Sequence, residues 1–383
     1  MIAALVAIAL ALQFGQRAPL TPAETLLETV VLRAIVEAPA NEAAGPAETI
    51  TGSDPKTGTI ALTCRAAGCE AATQAVQKLR WLIGSKGMAR PSRSIWIASS
   101  ASAAPPRDTV SVIHLAAGDA PVLRVVRGLW STAGIGDEAT EVFARHAGPV
   151  EARPFENVGQ PPLDVNGVPT TAIVANPGST GQAASAAAAA AYFLATLPND
   201  GAEALLAHLT VGAHARLAED GRRAVAQMGT QQRASADVLI MFGQAIEREQ
   251  RRMRSLERFM PSPVDPMLQI RLAEMEKNIT SLWTSIGITS SPFVPPAERI
   301  RGRGGDDRRV PARVTGATGN ADTSVLKLAN HADAGYEIVN LIDGKRTISD
   351  IRDAVMAEFG QVPLAAVVQY LEALAKAGAV TIK

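Results

Sequence analysis

Short apolar runs and longer runs of helical period take turns through the first half of the chain. "GTIALTC" (58–64), "RSIWIASS" (93–100), "TVSVIHLAAG" (109–118), "APVLRVV" (120–126) and "GVPTTAIVANPG" (167–178) are rich in Ile, Val, Leu and Thr. Each is bounded by Gly, Pro or Ser, which is the pattern of strands. "EAATQAVQKLRWLIGS" (70–85) and "GDEATEVFARHAG" (136–148) instead carry apolar residues at helical spacing. Strands alternating with helices of this length predict an α/β sheet over roughly residues 45–180, with ligands expected at the carboxyl ends of its strands.

From "QAASAAAAAAYFLATL" (182–197) the period is helical throughout. Residues 202–228, 235–260 and 265–287 read as long amphipathic helices. On the second of these, Arg248, Arg251, Arg252, Arg254 and Arg258 are interleaved with Glu247, Glu249 and Glu257, which predicts a solvated, internally paired face rather than an anion-binding surface. Residues 291–324 combine Pro, Gly and Arg without periodicity, the composition of a linker or extended arm. Asp306 and Asp307 offset part of the charge of the neighbouring RGRGG.

The tail is the most regular segment. A strand over "YEIVNLI" is expected to lead into a turn at Asp343-Gly344, and Thr347 with Asp350 forms a capping-box pair. Ile348, Ile351, Val355 and Phe359 make one helical stripe; Pro363 opens a second helix with Leu364, Val367, Val368, Leu371 and Leu374 inward. Gly378 then precedes a last strand. This order suits a small winged-helix-like module, yet the second helix offers only Lys376 where a DNA reader would present several basic residues.

At the other end, "MIAALVAIALALQF" is apolar through Leu12 and reaches Phe14 with one Gln between. As a helix rising about 1.5 Å per residue it covers roughly 20 Å, short of the ~30 Å hydrocarbon core. Three readings fit: a membrane-inserting helix presenting Ile2, Leu5, Ile8, Leu12 and Phe14, an export signal lacking a basic start, or a buried core helix. Two of the three place the protein beyond the cytoplasm, at or across a bacterial membrane and on its periplasmic face. After it, Thr21, Pro22 and Glu24 mark the start of a helix over 21–37.

Charge narrows the partners. Lys+Arg and Asp+Glu are equal at 37 each over 383 residues, so no general electrostatic argument favours nucleic acid or a strongly charged substrate. The 47% hydrophobic share is enough for a large core, and aromatic residues are scarce at 4%. Cys64 and Cys69 are the only cysteines. No histidine lies within about forty residues of them, so a zinc site is unsupported. A short disulfide is the expectation for an exported chain, and two inert thiols for a reducing compartment. His331 and Asp333 read as surface loop, and His146, His208 and His214 as helix residues with packing roles. No phosphate loop, Gly-x-Ser-x-Gly elbow or His-Glu-x-x-His helix is present.

The order of these elements resembles bacterial exported aminopeptidases of the co-catalytic di-zinc family, whose fold also serves as the peptidase-like domain of the transferrin receptor. The resemblance implies an α/β three-layer sandwich with a mixed central sheet, followed by long helices and the winged-helix-like module. Its implied divisions are 1–20 (anchor or signal), 21–200 (peptidase-like), 201–290 (long helices), 291–330 (linker) and 331–383 (winged-helix-like).

The family's metal ligands do not carry over. Thr63, Cys64 and Arg65 stand where a His-x-Asp pair belongs, Ser99 and Ser100 near the place of paired glutamates, and Ala116 at the aspartate position. A Pro-Gly-Ser-Thr turn (177–180) replaces the histidine loop. Two divalent cations need carboxylates and imidazoles, and the bridging water needs a base; these side chains supply neither.

The expectation is therefore a non-catalytic, peptidase-like scaffold or accessory subunit of a membrane-associated complex, with no catalytic, metal or cofactor residues and other protein subunits as partners. Two alternatives stay open. One is an active zinc aminopeptidase using unrecognised ligands such as His114, Asp119 and Glu70. The other is a nucleic-acid binder acting through the Arg-rich linker.

Overall fold

The computed structural model describes residues 47–54, 57–65, 68–84, 88–98, 100, 105–119, 122–126, 134–153, 168–197, 202–228, 236–259, 265–285, 305–314 and 321–383. The apolar segment 1–20, with Ile2, Leu5, Ile8, Leu12 and Phe14, and the helix expected over 21–37 lie outside the described residues. Among the described residues the chain is mixed α/β, with a seven-stranded mixed sheet, a two-stranded sheet and nine α-helices.

The large sheet contains β1 (Ala47–Ile50), β2 (Thr59–Cys64), β3 (Ser94–Ala98), β4 (Thr109–Ala117), β5 (Leu123–Val126), β6 (Val150–Arg153) and β7 (Thr170–Ala175), in the order β1-β3-β2-β4-β7-β5-β6. The central strands β3, β2, β4 and β7 run parallel; β1 is antiparallel to β3, and β5 is antiparallel to β7 but parallel to β6. The apolar runs at β2, β3 and β7 are buried at every position because central strands are covered on both faces. β1 alternates between exposed and half-buried positions, as an edge strand does.

One face of the sheet meets α1 (Gly68–Gly84), α2 (Ile135–Ala147) and α3 (Thr180–Thr196) in a single core with Ile60, Leu62, Ile97, Ile113, Leu115 and Ile173. α3 is alanine over most of its length and buried almost all round, so it lies close between α1 and α2 without steric conflict. Gly68 permits a second close approach. A Cβ there would lie 2.3 Å from the Leu115 carbonyl oxygen, so only glycine lets α1 start against β4.

α4 (Ala202–Met228), α5 (Ala236–Arg254) with the 3-10 turn Ser255–Phe259, and α6 (Asp265–Ser285) extend the same core through Leu209, Leu217, Phe242, Met253 and Met275. No single helix among the described residues is long and apolar enough to cross a membrane.

The C-terminal part has its own hydrophobic cluster, formed by α7 (His331–Leu341), α8 (Ile348–Phe359), α9 (Leu364–Lys376) and the 3-10 turn Thr323–Leu326. The Thr347–Asp350 capping box closes the start of α8 as its spacing predicts, and Pro363 precedes α9. The strand expected over "YEIVNLI" is a helix. Ala334, Ile338 and Leu341 fall on one face and enter the cluster, and Gly335 brings the first turn onto Thr323.

His331 and Asp333 therefore sit in the first turn of α7, not in a surface loop, and the His331 ring is 2.8 Å from Thr323 Oγ1. Part of the segment expected to be linker is also structured. β8 (Pro311–Arg313) pairs antiparallel with β9 (Val380–Ile382), and Leu326 is fully buried in the cluster.

Candidate functional site

The carboxyl ends of β2, β4 and β7 are where an α/β sheet presents chemistry. Side-chain alternation sends Cys64 to the core face with α1, while Thr63, His114 and Ala116 point to the second face. Cys64 and Cys69 are joined by a disulfide that ties the end of β2 to the first turn of α1, with the two Cα atoms 4.9 Å apart. Thr63 Oγ1 lies 2.9 Å from His114 Nδ1, across the β2–β4 register. Burial, helped by the neighbouring positive charge of Arg65, pulls the His114 imidazole down to about 4, so it is neutral at physiological pH.

Ala116 is sealed rather than open. It packs with Val126, Ala172, Val174 and Tyr336, the last brought by α7 onto the second face of the sheet. After β7, Pro177–Ser179 forms a 3-10 turn that opens α3, with Asn176 and Ser179 in a reciprocal cap. Ser99 lies outside the described residues, and Ser100 is half-buried. His114, Asp119 and Glu70 do not assemble. Asp119 and Glu70 are exposed, Gln74 donates to the Glu70 carboxylate at 3.4 Å, and no three His, Cys, Asp or Glu side chains among the described residues are placed to share a metal ion.

The second concentration of polar chemistry is a buried ionic junction, and it corrects the solvated-face expectation for α5. Arg252 is 1% exposed; its guanidinium donates to Asp137 at 3.1 Å and Glu138 at 3.0 Å in the first turn of α2. Arg248, also buried, donates to Asp220 at 2.7 Å, to Glu249 at 3.1 Å and to Glu358 of α8. Arg216 of α4 forks onto both oxygens of Glu249 at 3.1 and 3.0 Å and reaches Glu138 at 3.1 Å. On the far side, Arg352 of α8 donates to Asp237 of α5 at 2.9 Å, to Asp353 at 3.1 Å and to the Val362 carbonyl at 2.9 Å.

For Arg248, Glu249 and Arg252 burial opposes the charge, and the opposite charges outweigh it. The Glu249 carboxyl is held below its ordinary range by Arg216, Arg248 and Arg252, and Arg248 and Arg252 are held cationic by their carboxylates. Arg251 and Arg254 keep the solvated, helix-internal pairing that was expected, with Glu247 and Glu257.

Sequence reasoning missed the partners of Arg248 and Arg252 outside α5 because they lie 28 to 115 residues away. Asp137 and Glu138 also look like ordinary first-turn acids of a helix. The one available signal was that Arg248, Arg252 and Glu249 lie on the stripe continuing Phe242 and Ala245 toward the core. In the arm, Arg308 pairs with Asp306 at 2.9 Å, and Arg309 pairs with Asp307 at 2.7 Å and Glu372 at 3.0 Å. Neither a protein-family model nor any curated protein sequence matches this chain.

Proposed function

We propose that this chain is a non-catalytic, peptidase-like scaffold or accessory subunit that works through protein–protein contacts in a membrane-associated complex. The observation that carries the reading is Ala116. It occupies the place of a metal-binding aspartate in the resembled family, and its methyl group is 2% exposed in an apolar cluster with Val174 and Tyr336. Thr63, where an imidazole or carboxylate would be needed, hydrogen-bonds a buried neutral histidine. On this reading the sheet is the centre of a three-layer sandwich. The three helices α7–α9 with the β8–β9 pair are a winged-helix-like packing module with most of its basic residues elsewhere.

The Cys64–Cys69 disulfide supports an exported location, since such bonds persist in oxidising compartments. The Arg309–Glu372 ion pair favours an arm bound to its own module over a nucleic-acid contact. The test is turnover by the purified full-length protein of a panel of aminoacyl 4-nitroanilides with zinc, cobalt or manganese supplied. The scaffold reading expects no release of nitroaniline above the protein-free control; metal-dependent, saturable release would establish the hydrolase instead.

A further inference from the structure

Two independent contacts hold the C-terminal module against the α/β body. Tyr336 of α7 lies on the second face of the sheet with Ala116, Val126, Ala172 and Val174, and α8 clasps α5 through Glu358 on Arg248 and Arg352 on Asp237. Glu337, next in sequence to Tyr336 and facing the Glu358 that meets Arg248, is 1% exposed. Its Oε1 is buried and accepts no hydrogen bond from the described residues. A carboxylate in that position would be an uncompensated buried charge, which is among the costliest groups a fold can hold.

The surroundings give it little help. Glu358 faces it from α8 and repels its charge; Arg346, in the α7–α8 turn, attracts it but is already paired with Asp343 at 2.9 Å; Asn340 on its own helix offers a hydrogen bond. Across the interface Arg248 is engaged by Asp220, Glu249 and Glu358, and on the module's own side Arg352 of α8 is engaged by Asp237 and Asp353. Among the described residues, the five carboxylates of Asp137, Glu138, Asp220, Glu249 and Glu358 meet the four guanidinium groups of Arg216, Arg223, Arg248 and Arg252, with His208 3.5 Å from Glu138. A further negative charge adds to that excess, with Arg346 as the cation that attracts it.

We propose that Glu337 is a proton-operated latch: with its carboxyl protonated the C-terminal module stays closed over the second face of the sheet, and loss of that proton to solvent releases the module. Release frees Tyr336 and uncovers the strip formed by Ala116, Val126, Ala172 and Val174, so the device controls access to a surface that the scaffold reading leaves sealed. The sign follows from burial. Burial raises the Glu337 carboxyl well above its ordinary 4.5, so the closed state binds the proton more tightly than the open state. Closure is fully supported below that ordinary value and is lost as pH rises through the raised one, the closed-to-open ratio falling by up to about tenfold per pH unit between the two.

The test is hydrogen exchange of the full-length protein, read by mass spectrometry from pH 5 to 8.5 (~3.5 pH units of the linkage range), with labelling times scaled to intrinsic exchange. Peptides from β7, α5 and α8 report the contact, and α9 reports whether the module itself stays folded. The latch predicts that protection at the contact falls with rising pH while α9 remains protected. Glu337→Gln, which keeps the shape and cannot ionise, should flatten the response. Arg346→Gln removes the cation that attracts the charged form and should move the opening to higher pH. Identical pH courses in wild type and Glu337→Gln, equal loss of protection in α9, or no change in the wild type over this range would each overturn the proposal.

Discussion

Replacing Arg252 with Met removes a fully buried guanidinium while keeping the length and apolar stem of the side chain. Three carboxylates lose a partner: Asp137 at 3.1 Å, Glu138 at 3.0 Å and Glu249 at 3.7 Å. Two of them keep other cations, Glu138 through Arg216, and Glu249 through Arg216 and Arg248. Asp137, 0% exposed and bonded by the Thr171 hydroxyl at 2.5 Å, loses the guanidinium at 3.1 Å.

Breaking a buried pair by removing one member costs about 3–5 kcal/mol, and the surviving cations place this case near the lower end, at about 3 kcal/mol. Urea unfolding followed by far-UV circular dichroism and tryptophan fluorescence measures it, provided the two transitions coincide. Adding Asp137→Asn removes the buried carboxylate charge and retains the shape that meets Thr171. The double variant should recover at least ~1 kcal/mol, a coupling within the range found for contacting residues. A loss below about 1 kcal/mol for Arg252→Met, or a double variant that is the plain sum of the two singles, would refute the claim that α2 is fastened to α5 by charge in a dry environment.

Reduction of the Cys64–Cys69 bond, or its replacement by Cys64→Ala with Cys69→Ala, frees a loop closed over a sequence separation of 5 and should lower stability by about 2 kcal/mol; unchanged urea midpoints with and without reductant would contradict this. Gly68→Ala drives a methyl into the Leu115 carbonyl and should cost about 1–3 kcal/mol by the same assay, whereas an unchanged midpoint would show that α1 can shift away from β4 freely. His114 is neutral when folded down to about 4 and protonates near 6.5 when unfolded, so the unfolded chain binds more protons between those values. Stability should fall by up to about 3 kcal/mol as pH drops through that window, and His114→Asn should remove that share of the slope. Thr347→Ala removes the α8 cap and should cost about 1 kcal/mol, seen as a lower unfolding midpoint.

The central strands were legible because a strand covered on both faces is apolar at nearly every position, as "TIALTC" and "TTAIVA" are. Edge strands carry no such mark: "AETI" and "VEAR" are short and half polar, and their place is fixed by neighbours rather than by their own composition. "YEIVNLI" misleads for the opposite reason, because its apolar and branched residues suit either state. Packing of Ala334, Ile338 and Leu341 into the C-terminal cluster decides for helix.

The sheet edge could be examined residue by residue from the sequence, since alternation along "TVSVIHLAA" separates His114 and Ala116 from Ile113 and Leu115. That Tyr336 covers Ala116 could not be read there, nor could the pairing of Arg252 with Asp137. Both join elements more than a hundred residues apart, and nothing local distinguishes them from surface positions.

The zinc content of full-length protein, purified without chelator, incubated with excess zinc, desalted and measured by inductively coupled plasma mass spectrometry, bears most directly on the claim that this sheet keeps its packing without its ligands. Zinc well below one ion per chain, with urea midpoints unmoved by the metal, is the predicted result. Retention of one or more ions per chain, lost together with stability on adding chelator, would contradict it.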